Sequence, residues 1–356
     1  MSYAWEHSLY RQQIAFAAHI TLPWEKLDGK TILLTGASGM IGSFLTDVLM
    51  ERNASHCADI TVVAVCRDKE RARTRFAAYT NDAHFRLLFH DVIVPFTNGE
   101  VPRADFILHL ASNTHPVSYA TDPVGTVCTN IIGTQCLLDY ATACKAERFL
   151  FCSSVEVYGE NRGDTELFDE SYCGYIDCNT LRAGYPESKR CGETLCRAYE
   201  RQYGLDVVIT RLARIYGPTL LKTDTKALSQ FLSKGLAGED IVLKSAGTQY
   251  FSYLHVMDAV TGILTVLLKG AAGEAYNVAD AASDIRLKDL AALIAKCAGM
   301  RVIFDMPDAT EAAGFSKATL ARMDASKLKA MGWNAVYGID CGIGDTIDIL
   351  RQTERV

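Results

Sequence analysis

The apolar residues of this chain fall into short uninterrupted runs that alternate with longer stretches of helical periodicity. Runs of this length are typical of strands buried on both faces of a parallel sheet. In the first half of the chain the pattern predicts five such strands and two long helices. The strands cover 31–35, 60–66, 87–92, 106–112 and 148–154, and the long helices cover 126–143 and 185–203.

The pattern loses this rhythm after Gly217. Helices are predicted at 227–236, 256–268, 287–298 and 325–331, with short strands at 241–243 and 276–278. We therefore predict an α/β fold, a doubly wound parallel sheet of the Rossmann type with a smaller, partly interleaved C-terminal substrate lobe. The predicted division is an N-terminal extension over 1–29, a dinucleotide-binding domain over 30–217 with returning segments near 250–280, and a mainly substrate-binding lobe over 218–356. The role of the extension is open.

The first predicted strand runs directly into Gly36, Gly39 and Gly42, ahead of a helical pattern. Glycines let a backbone approach a pyrophosphate closely, and the helix N-terminus that follows offers free N–H groups to it. The spacing is G-x-x-G-x-x-G rather than the usual G-x-G-x-x-G, and an ordinary strand–helix turn is the alternative. We assign the turn to a dinucleotide cofactor, with additional contacts from Ser38, Met40 and Ile41.

The ends of two further strands are assigned to the same cofactor, because ligands of doubly wound sheets bind at the carboxyl ends of the strands. The third strand ends at Asp91 and Val92, with Asp91 placed to reach an adenine amine. The fourth ends at Leu110, Ala111 and Ser112, and small residues there allow close approach of the backbone to a cofactor.

The end of the second strand bears on the choice between NAD and NADP. An acidic residue there binds the ribose hydroxyls of NAD, whereas a nearby arginine pairs with the 2′-phosphate of NADP. The chain has Arg67 followed by Asp68. Arg67 therefore favours NADP, Asp68 leaves NAD open, and a solvated helix start is a third interpretation.

Composition excludes several classes of protein. The formal charge of −6 argues against nucleic acid as the main partner, and no apolar run is long enough to span a bilayer. The twelve cysteines are scattered without a C-x-x-C pair, which favours free thiols over disulfides or a metal site. The N-terminus lacks the apolar core of a signal peptide. We expect a cytoplasmic protein with no metal and no membrane partner.

Candidate chemistry lies at the start of the second long helix. Tyr185 and Lys189 are four residues apart, which places them on one helix face. A tyrosine with the ordinary pKa of about 10 is a poor base at neutral pH, and a neighbouring ammonium group would lower that pKa. We predict that Tyr185 is the acid/base, tuned by Lys189, and that Ser154 aligns the same substrate hydroxyl. Taken singly, Tyr185 and Lys189 could be a chance pair on an exposed helix, and Ser154 could cap a strand.

The order of these motifs resembles that of the extended short-chain dehydrogenase/reductases that act on nucleotide sugars, over residues 30–346. Segments 153–159 and 182–190 are most similar to UDP-glucuronate decarboxylases and, more distantly, to sugar-nucleotide dehydratases and 4-epimerases. Besides the glycine turn and the Tyr185/Lys189 pair, the resemblance is carried by Asp91, 109–112, Asn130 with Gly133 and Thr134, 153–159, Arg211 with 216–218, 255–258, Asp324 and 332–333.

The resemblance implies an enzyme that oxidises a sugar C4 hydroxyl with a tightly held NAD or NADP. It makes Tyr185 the base, lets Lys189 bind ribose as well, and gives Glu156 the place of a functional glutamate, although a surface acid is the plain alternative. Ser153 and Arg182 lie in the most similar segments and are assigned to the substrate. It also implies a homodimer formed through the two long helices.

Three positions depart from the family pattern. Val155 stands where dehydratases carry an aspartate, which argues against a 4,6-dehydratase because elimination needs a proton donor. Phe251 stands where an arginine normally lies near the substrate diphosphate, and Arg214 replaces an expected asparagine. We predict that the Arg214 guanidinium supplies the missing charge by clamping the phosphate of a substrate other than the common UDP-hexoses. A structural ion pair is the alternative role for Arg214.

The predicted function is NAD(P)-dependent conversion of a nucleotide-activated sugar through a keto-sugar intermediate. Epimerisation is favoured slightly over decarboxylation, because the missing arginine would also help to hold a sugar acid. A net NADP(H)-dependent reductase or dehydrogenase of an activated sugar or alditol is the alternative that Arg67 supports. A non-catalytic dinucleotide sensor is a remote alternative, since it has no use for Tyr185, Lys189 and Ser154.

Overall fold

The computed structural model describes residues 4–97, 99, 101–114, 121–306 and 319–354 of the 356-residue chain. Within these ranges, one sheet contains β1 (Thr31–Thr35), β2 (Thr61–Cys66), β3 (Phe85–Phe89), β4 (Phe106–His109), β5 (Arg148–Ser154), β6 (Val207–Leu212) and β10 (Ala275–Val278). The strands run parallel in the order β10-β6-β5-β4-β1-β2-β3. The predicted doubly wound α/β fold is confirmed.

The strand order reverses at β1, which pairs with β2 on one side and with β4 on the other. A crevice forms at such a switch point, because the connections after the two neighbouring strands leave in opposite directions. The first glycine turn follows β1 and therefore opens into this crevice.

Helices cover both faces of the large sheet, and further helices pack in the smaller lobe, where Ala227–Leu236 lies against Leu287–Ala298. Their bounds are α1 (Ser8–His19), α2 (Met40–His56), α3 (Lys69–Arg75), α4 (Pro123–Cys144), α5 (Gly184–Tyr203), α6 (Ala227–Leu236), α7 (Val256–Lys269), α8 (Leu287–Ala298), α9 (Ser326–Lys329) and α10 (Ile339–Glu354). Successive strand residues point to opposite faces. In β1, Leu33 packs with α4 and α5 in one core, whereas Ile32 and Leu34 pack with α2 and α7 in the other.

The second half of the chain forms two smaller sheets and also adds a strand to the large sheet. The strands β7 (Arg214–Tyr216), β9 (Tyr250–His255), β11 (Asp284–Arg286) and β13 (Leu320–Ala321) form a small sheet, and β8 (Ile241–Leu243) pairs with β12 (Val302–Phe304). After β9 and α7, the chain returns to the large sheet, where β10 pairs with β6. The predicted boundaries at residues 29 and 217 stay predictions, and residues 1–3 of the extension lie outside the described residues.

Several predicted bounds need correction. The predicted strand 87–92 is in fact Phe85–Phe89, and the chain then turns, with Asp91 Oδ1 accepting a hydrogen bond from Ile93 N at 3.3 Å. The predicted strand 106–112 ends at His109. Among the described helices, none is long and apolar enough to cross a membrane.

Candidate active site

The carboxyl ends of the central strands open into a cleft of about 380 Å³. At one end it is lined by the glycine turn, and further along by Ser154, Tyr185 and Lys189. These groups come from the ends of β1 and β5 and from the start of α5. The topology therefore gathers residues that lie more than a hundred positions apart in the sequence into one site.

The glycines let this turn pack closely against itself and against the end of β4. Gly36 has φ +67°, and a Cβ there would lie 2.8 Å from Ala111 N. A Cβ at Gly42 would collide with the carbonyl oxygen of Gly36. Gly39 is the N-cap of α2, so the first N–H groups of that helix are directed at the cleft. This cradle fits the diphosphate of a dinucleotide.

A buried histidine fixes the wall opposite the turn. His109 Nδ1 and Thr35 Oγ1 are 2.9 Å apart, and His109 Nε2 lies 3.2 Å from Thr134 Oγ1. Thr35 Oγ1 also accepts a hydrogen bond from Ala111 N at 3.2 Å. Burial, and then the charge of Lys189, lowers the pKa of His109 to about 3. A neutral imidazole therefore joins β1, β4 and α4 without adding charge beside the cleft.

A chain of hydrogen bonds links this wall to the helix that carries the candidate base. Ser112 Oγ donates to Asn130 Oδ1 at 2.7 Å, and Asn130 Nδ2 donates to Ser188 Oγ at 2.9 Å. Ser188 Oγ in turn donates to the backbone oxygen of Tyr185 at 2.9 Å. The cofactor wall and the first turn of α5 are therefore held in fixed relation.

The candidate acid/base and its neighbour are both buried. Tyr185 is 6% exposed and shares a hydrogen bond with Ser154. Lys189 Nζ donates to the backbone oxygen of Cys152 at 2.8 Å. Burial lowers the pKa of Lys189. The phenol and hydroxyl face the cleft together, as a pair that holds a substrate hydroxyl must.

The pKa of Tyr185 differs from the sequence prediction. We expected Lys189 to lower it, whereas burial raises the pKa of the Tyr185 phenol above its ordinary value, with the Ser154 hydrogen bond opposing that rise and the Glu156 charge adding to it. The ammonium group of Lys189 is bound to the Cys152 carbonyl instead. Spacing along the helix predicted the shared face but not this partner.

Beneath the trio lies a buried ion pair. Arg211 Nη2 lies 2.7 Å from Glu193 Oε2, and Ser153 Oγ donates to Glu193 Oε1 at 2.6 Å. Arg211 Nη1 also donates to Tyr158 Oη at 3.1 Å. Ser153, assigned to the substrate from sequence, lines the cleft but directs its hydroxyl into this network.

At the substrate end, Glu156 lies between two arginines. Its Oε1 is 3.5 Å from Arg214 Nη2, and its Oε2 is 3.7 Å from Arg182 Nη2. The guanidinium carbon of Arg214 lies 3.7 Å from the centre of the Phe251 ring. Among the described residues, the buried Nη1 of Arg214 has no hydrogen-bond partner, and Arg214 lines the cleft. The site thus offers an unused cationic donor, although Glu156 also gives Arg214 a structural partner.

Most of the residues assigned from sequence come together in this cleft, and three do not line it. Asp91 caps a turn, Phe251 lies behind Arg214, and Arg182 pairs with Glu156. Those that line it are Gly36, Ser38, Gly39, Met40, Ile41, Gly42, Arg67, Val92, Leu110, Ala111, Ser112, Ser153, Ser154, Glu156, Tyr185, Lys189 and Arg214.

Sequence reasoning missed several lining residues. One is Arg71, whose Nη2 lies 3.4 Å from Ser38 Oγ. Another is Asn113, whose Oδ1 lies 3.3 Å from Nη2 of Arg67, a residue that was predicted. Lys226, paired with Asp224 at 2.9 Å, lines the far end. The basic first turn of α3 was a usable signal for Arg71, whereas no local motif marks Lys226.

A protein-family model described as the NAD dependent epimerase/dehydratase family matches residues 32–279 of this chain. UDP-glucuronic acid decarboxylase 1 of Xenopus tropicalis is 31% identical over 326 residues, covering 91% of this chain and 73% of the relative. UDP-glucuronic acid decarboxylase 3 of Arabidopsis thaliana is 34% identical over 236 residues, which is 66% of each chain and so just under two thirds of that relative.

Solved structures share the fold. The dTDP-glucose 4,6-dehydratase of Streptomyces venezuelae, with NAD bound, is 26% identical with a TM-score of 0.76, covering 91% of this chain and 98% of the other. The UDP-glucuronic acid 4-epimerase of Bacillus cereus, in complex with UDP-glucuronic acid and NAD, is 22% identical with a TM-score of 0.78, covering 90% and 99%.

Proposed function

Because this chain belongs to the NAD-dependent epimerase/dehydratase family of extended short-chain dehydrogenase/reductases, we propose that it converts a nucleotide-activated sugar through a keto-sugar intermediate. One observation carries the proposal. Tyr185, Lys189 and Ser154 line the same cleft as the glycine cradle around Gly36 and Gly42. A protein that only sensed a dinucleotide would not need an acid/base beside its cofactor.

A bound nicotinamide supplies the hydride acceptor and donor. Tyr185 takes the proton of the sugar hydroxyl, and Ser154, hydrogen-bonded to the phenol, orients that hydroxyl. Lys189 lies one turn further along α5 and donates to the backbone oxygen of Cys152 in β5, and we assign its ammonium group to the ribose of the cofactor. Burial of Tyr185 and Lys189 keeps water away from the transferred proton.

We extend the proposal to the cofactor, which we expect to be NADP in preference to NAD. Arg67 and Arg71 both line the ribose end of the cleft, and two guanidinium groups suit a 2′-phosphate. Asp68 is the residue that would bind ribose hydroxyls in an NAD enzyme. Its carboxylate is instead the N-cap of α3, accepting a hydrogen bond from Arg71 N at 3.0 Å.

At the other end of the cleft, we propose that Arg214 binds the substrate phosphate. Its unpartnered Nη1 and its packing against Phe251 support this role, because a desolvated guanidinium gains most from an anionic ligand. Glu156 and Arg182 complete the charged cluster at the sugar end. Asp91 does not line the cleft, so its contact with the adenine stays a prediction from sequence.

The fate of the keto-sugar has two candidates. Epimerisation needs only the Tyr185, Lys189 and Ser154 trio and a substrate that can rotate. Decarboxylation is the second, supported by the relatives named UDP-glucuronic acid decarboxylase. Dehydration is disfavoured by Val155, which offers no proton to a leaving hydroxyl. A net reductase remains the alternative if NADP(H) exchanges freely.

We also propose a homodimer. The helices α4 and α5 pack side by side, and apolar side chains on them are exposed, including Val124 at 72% and Tyr203 at 54%. Light scattering on the purified protein should give twice the chain mass of 39.1 kDa. Ile132, on α4, is 43% exposed, and Ile132→Glu should reduce the measured mass to that of one chain. A cytoplasmic location stays a prediction from sequence.

The proposed reaction is tested on the purified protein in two steps. UDP-, GDP-, CDP- and dTDP-sugars are screened by thermal shift with NADP or NAD present, and the hit is followed by NMR. A C4 epimer supports epimerisation, and loss of the C6 carbon supports decarboxylation. Stoichiometric NADPH consumption supports the reductase. No conversion of any nucleotide sugar by cofactor-loaded protein would overturn the proposal.

A further inference from the structure

The N-terminal extension precedes the matched family residues 32–279, yet it is built into the core. Helix α1 buries Tyr10, Ile14, Ala17 and Ala18 against α2 and α7. After the helix, Trp24 is buried. A segment buried to this extent has to be ordered with the rest of the domain.

One side chain of α1 joins a buried charge network on α2. Asp47 is 1% exposed, and its Oδ2 accepts a hydrogen bond from Tyr10 Oη at 2.6 Å. Its Oδ1 accepts another from Tyr79 Oη at 3.0 Å, and the Arg75 guanidinium forms an ion pair with the same carboxylate. Such a pair is held firmly only when every polar atom has a partner.

The network reaches the glycine cradle from two directions. Arg75, the last residue of α3, donates to the backbone oxygen of Ser43 in the first turns of α2 at 3.2 Å, and to Tyr10 Oη at 3.3 Å. One turn earlier in α3, Arg71 reaches Ser38 Oγ in the glycine turn. Helix α3 is therefore tied to α2 at its end and to the turn near its start.

We propose that Tyr10 is a positioning residue for the dinucleotide, holding α3 so that Arg71 and Ser38 stay aligned at the ribose end of the cleft. It acts through Asp47 and Arg75 and does not touch the cofactor. The inference rests on the proposed preference for NADP, because Arg71 is the group whose position it sets. It gives the N-terminal extension a role in cofactor affinity in addition to stability.

The test compares two substitutions on the same helix. Tyr10→Phe removes the hydroxyl that binds Asp47. Gln13→Leu removes the hydrogen bond that Gln13 Nε2 donates to Tyr337 Oη at 3.1 Å, and this bond does not involve α3. Dissociation constants for NADP and NAD are measured by fluorescence quenching, together with the thermal midpoint of each variant.

We expect both variants to lose a similar amount of thermal stability. Only Tyr10→Phe should weaken NADP binding, by roughly threefold to tenfold, because part of the free energy of its hydrogen bond to the Asp47 carboxylate is transmitted through α3 to Arg71. NAD binding should change less, since it lacks the group that Arg71 contacts. At saturating NADP, kcat of Tyr10→Phe should equal that of the wild type.

Tyr10→Phe with wild-type NADP affinity and a lowered thermal midpoint would show a purely structural role and overturn the inference. If Tyr10→Phe does not fold, Arg75→Lys serves instead, because it retains the charge facing Asp47 but not the contacts to Ser43 and Tyr10. Unchanged NADP affinity in Arg75→Lys would likewise overturn the inference. A wild-type protein that binds NAD in preference to NADP contradicts the proposed cofactor, which is a separate failure.

Discussion

Arg214 and Phe251 form a stacked pair across two strands, with the guanidinium carbon 3.7 Å from the ring centre. The register of β7 and β9 explains the pairing. Arg214 lies opposite Tyr253, and Phe251, two residues before Tyr253, points to the same face of the strand. An arginine on β7 therefore occupies the space over position 251, where the family pattern has a cation of its own.

Removing the Arg214 guanidinium should weaken substrate binding. A hydrogen bond to a charged group contributes about 1.5–3 kcal/mol, so Arg214→Ala should raise the Kd for the nucleotide sugar by about tenfold to a hundredfold. This Kd is measured by calorimetric titration of cofactor-loaded protein that also carries Tyr185→Phe, so that the substrate is bound but not turned over. The matched control is Arg162→Ala, which removes an arginine stacked 4.0 Å from the Tyr175 ring outside the cleft. Equal affinity in Arg214→Ala and the wild type would refute the phosphate clamp.

Tyr185→Phe should abolish turnover while leaving binding in place. Loss of a general acid/base lowers kcat by about 10²- to 10⁴-fold, whereas the ring still fills the same buried space. The control is Tyr199→Phe on the same helix, where the hydroxyl bonds Asp139 away from the cleft. Single-turnover NMR assays measure the rate, and titration measures Kd. A Tyr185→Phe protein with wild-type kcat would exclude the phenol as the proton carrier.

Arg67→Ala and Arg71→Ala should each reduce affinity for NADP by about tenfold or more, with NAD affinity almost unchanged, because each removes a charge-assisted bond to the 2′-phosphate. Arg73→Ala is the control, since Arg73 lies on α3 with Arg71 and pairs with Glu70 at 3.3 Å on the surface. Fluorescence titration with both dinucleotides measures the ratio. Parallel losses for NAD and NADP would place the two arginines elsewhere on the cofactor.

Gly36→Ala should prevent dinucleotide binding. The new Cβ would lie 2.8 Å from Ala111 N at a backbone φ of +67°, so the turn and the facing wall must separate. Gly238→Ala has a similar φ of +75° but nothing within 4 Å of the new Cβ. It should lose about 1 kcal/mol of stability and bind the dinucleotide normally. Thermal shift with added cofactor distinguishes the two, and normal binding by Gly36→Ala would mean that the cradle is not the diphosphate site.

Asp258 should make folding stability depend on pH. Its carboxylate accepts hydrogen bonds from Val336 N at 3.0 Å and Tyr337 N at 2.9 Å, while burial raises its pKa to about 6. A raised carboxyl pKa stabilises the fold when the group is protonated. That contribution, about 3 kcal/mol, is complete below roughly pH 4 and is lost as the pH rises through about 6.

The carboxyl ¹³C shift of Asp258, followed by NMR, measures this titration directly. Asp169 serves as an internal reference, because hydrogen bonds from Ser171 lower the pKa of its carboxyl. Urea unfolding over the same pH range should show the corresponding loss of stability. A midpoint for Asp258 at the ordinary value of an exposed aspartate would contradict the expectation.

Local pattern predicted the fold class and many elements, and the resemblance carried by motifs along the whole chain indicated the family. Helices 227–236 and 287–298 have the predicted bounds, because clear apolar periodicity spans each of them. Strand β9 was not predicted, since Ser252 and His255 interrupt its apolar run. The structure buries both, with Ser252 Oγ donating to Asp284 Oδ1 at 2.6 Å. A polar residue that finds its partner 32 positions away is invisible to a local window.

The candidate site likewise combines residues that local motifs mark with contacts between residues distant in sequence. The glycine turn and the Tyr185/Lys189 spacing are local patterns, and the residues they marked line one cleft. The contact of Arg71 with Ser38 and the Lys189 bond to Cys152 arise only when separate elements meet. The shift in the Tyr185 pKa follows from burial, which spacing along one helix does not report.

The return of β10 to the edge of the large sheet restricts how the protein can be divided. Residues 1–217 produced alone would lack β10, leaving β6 as an open sheet edge prone to intermolecular pairing. The remaining fragment would carry β10 without its neighbour. The two pieces can complete the sheet only by joining each other, so a cut at Gly217 would turn folding into a bimolecular reaction suited to a split-reporter assay.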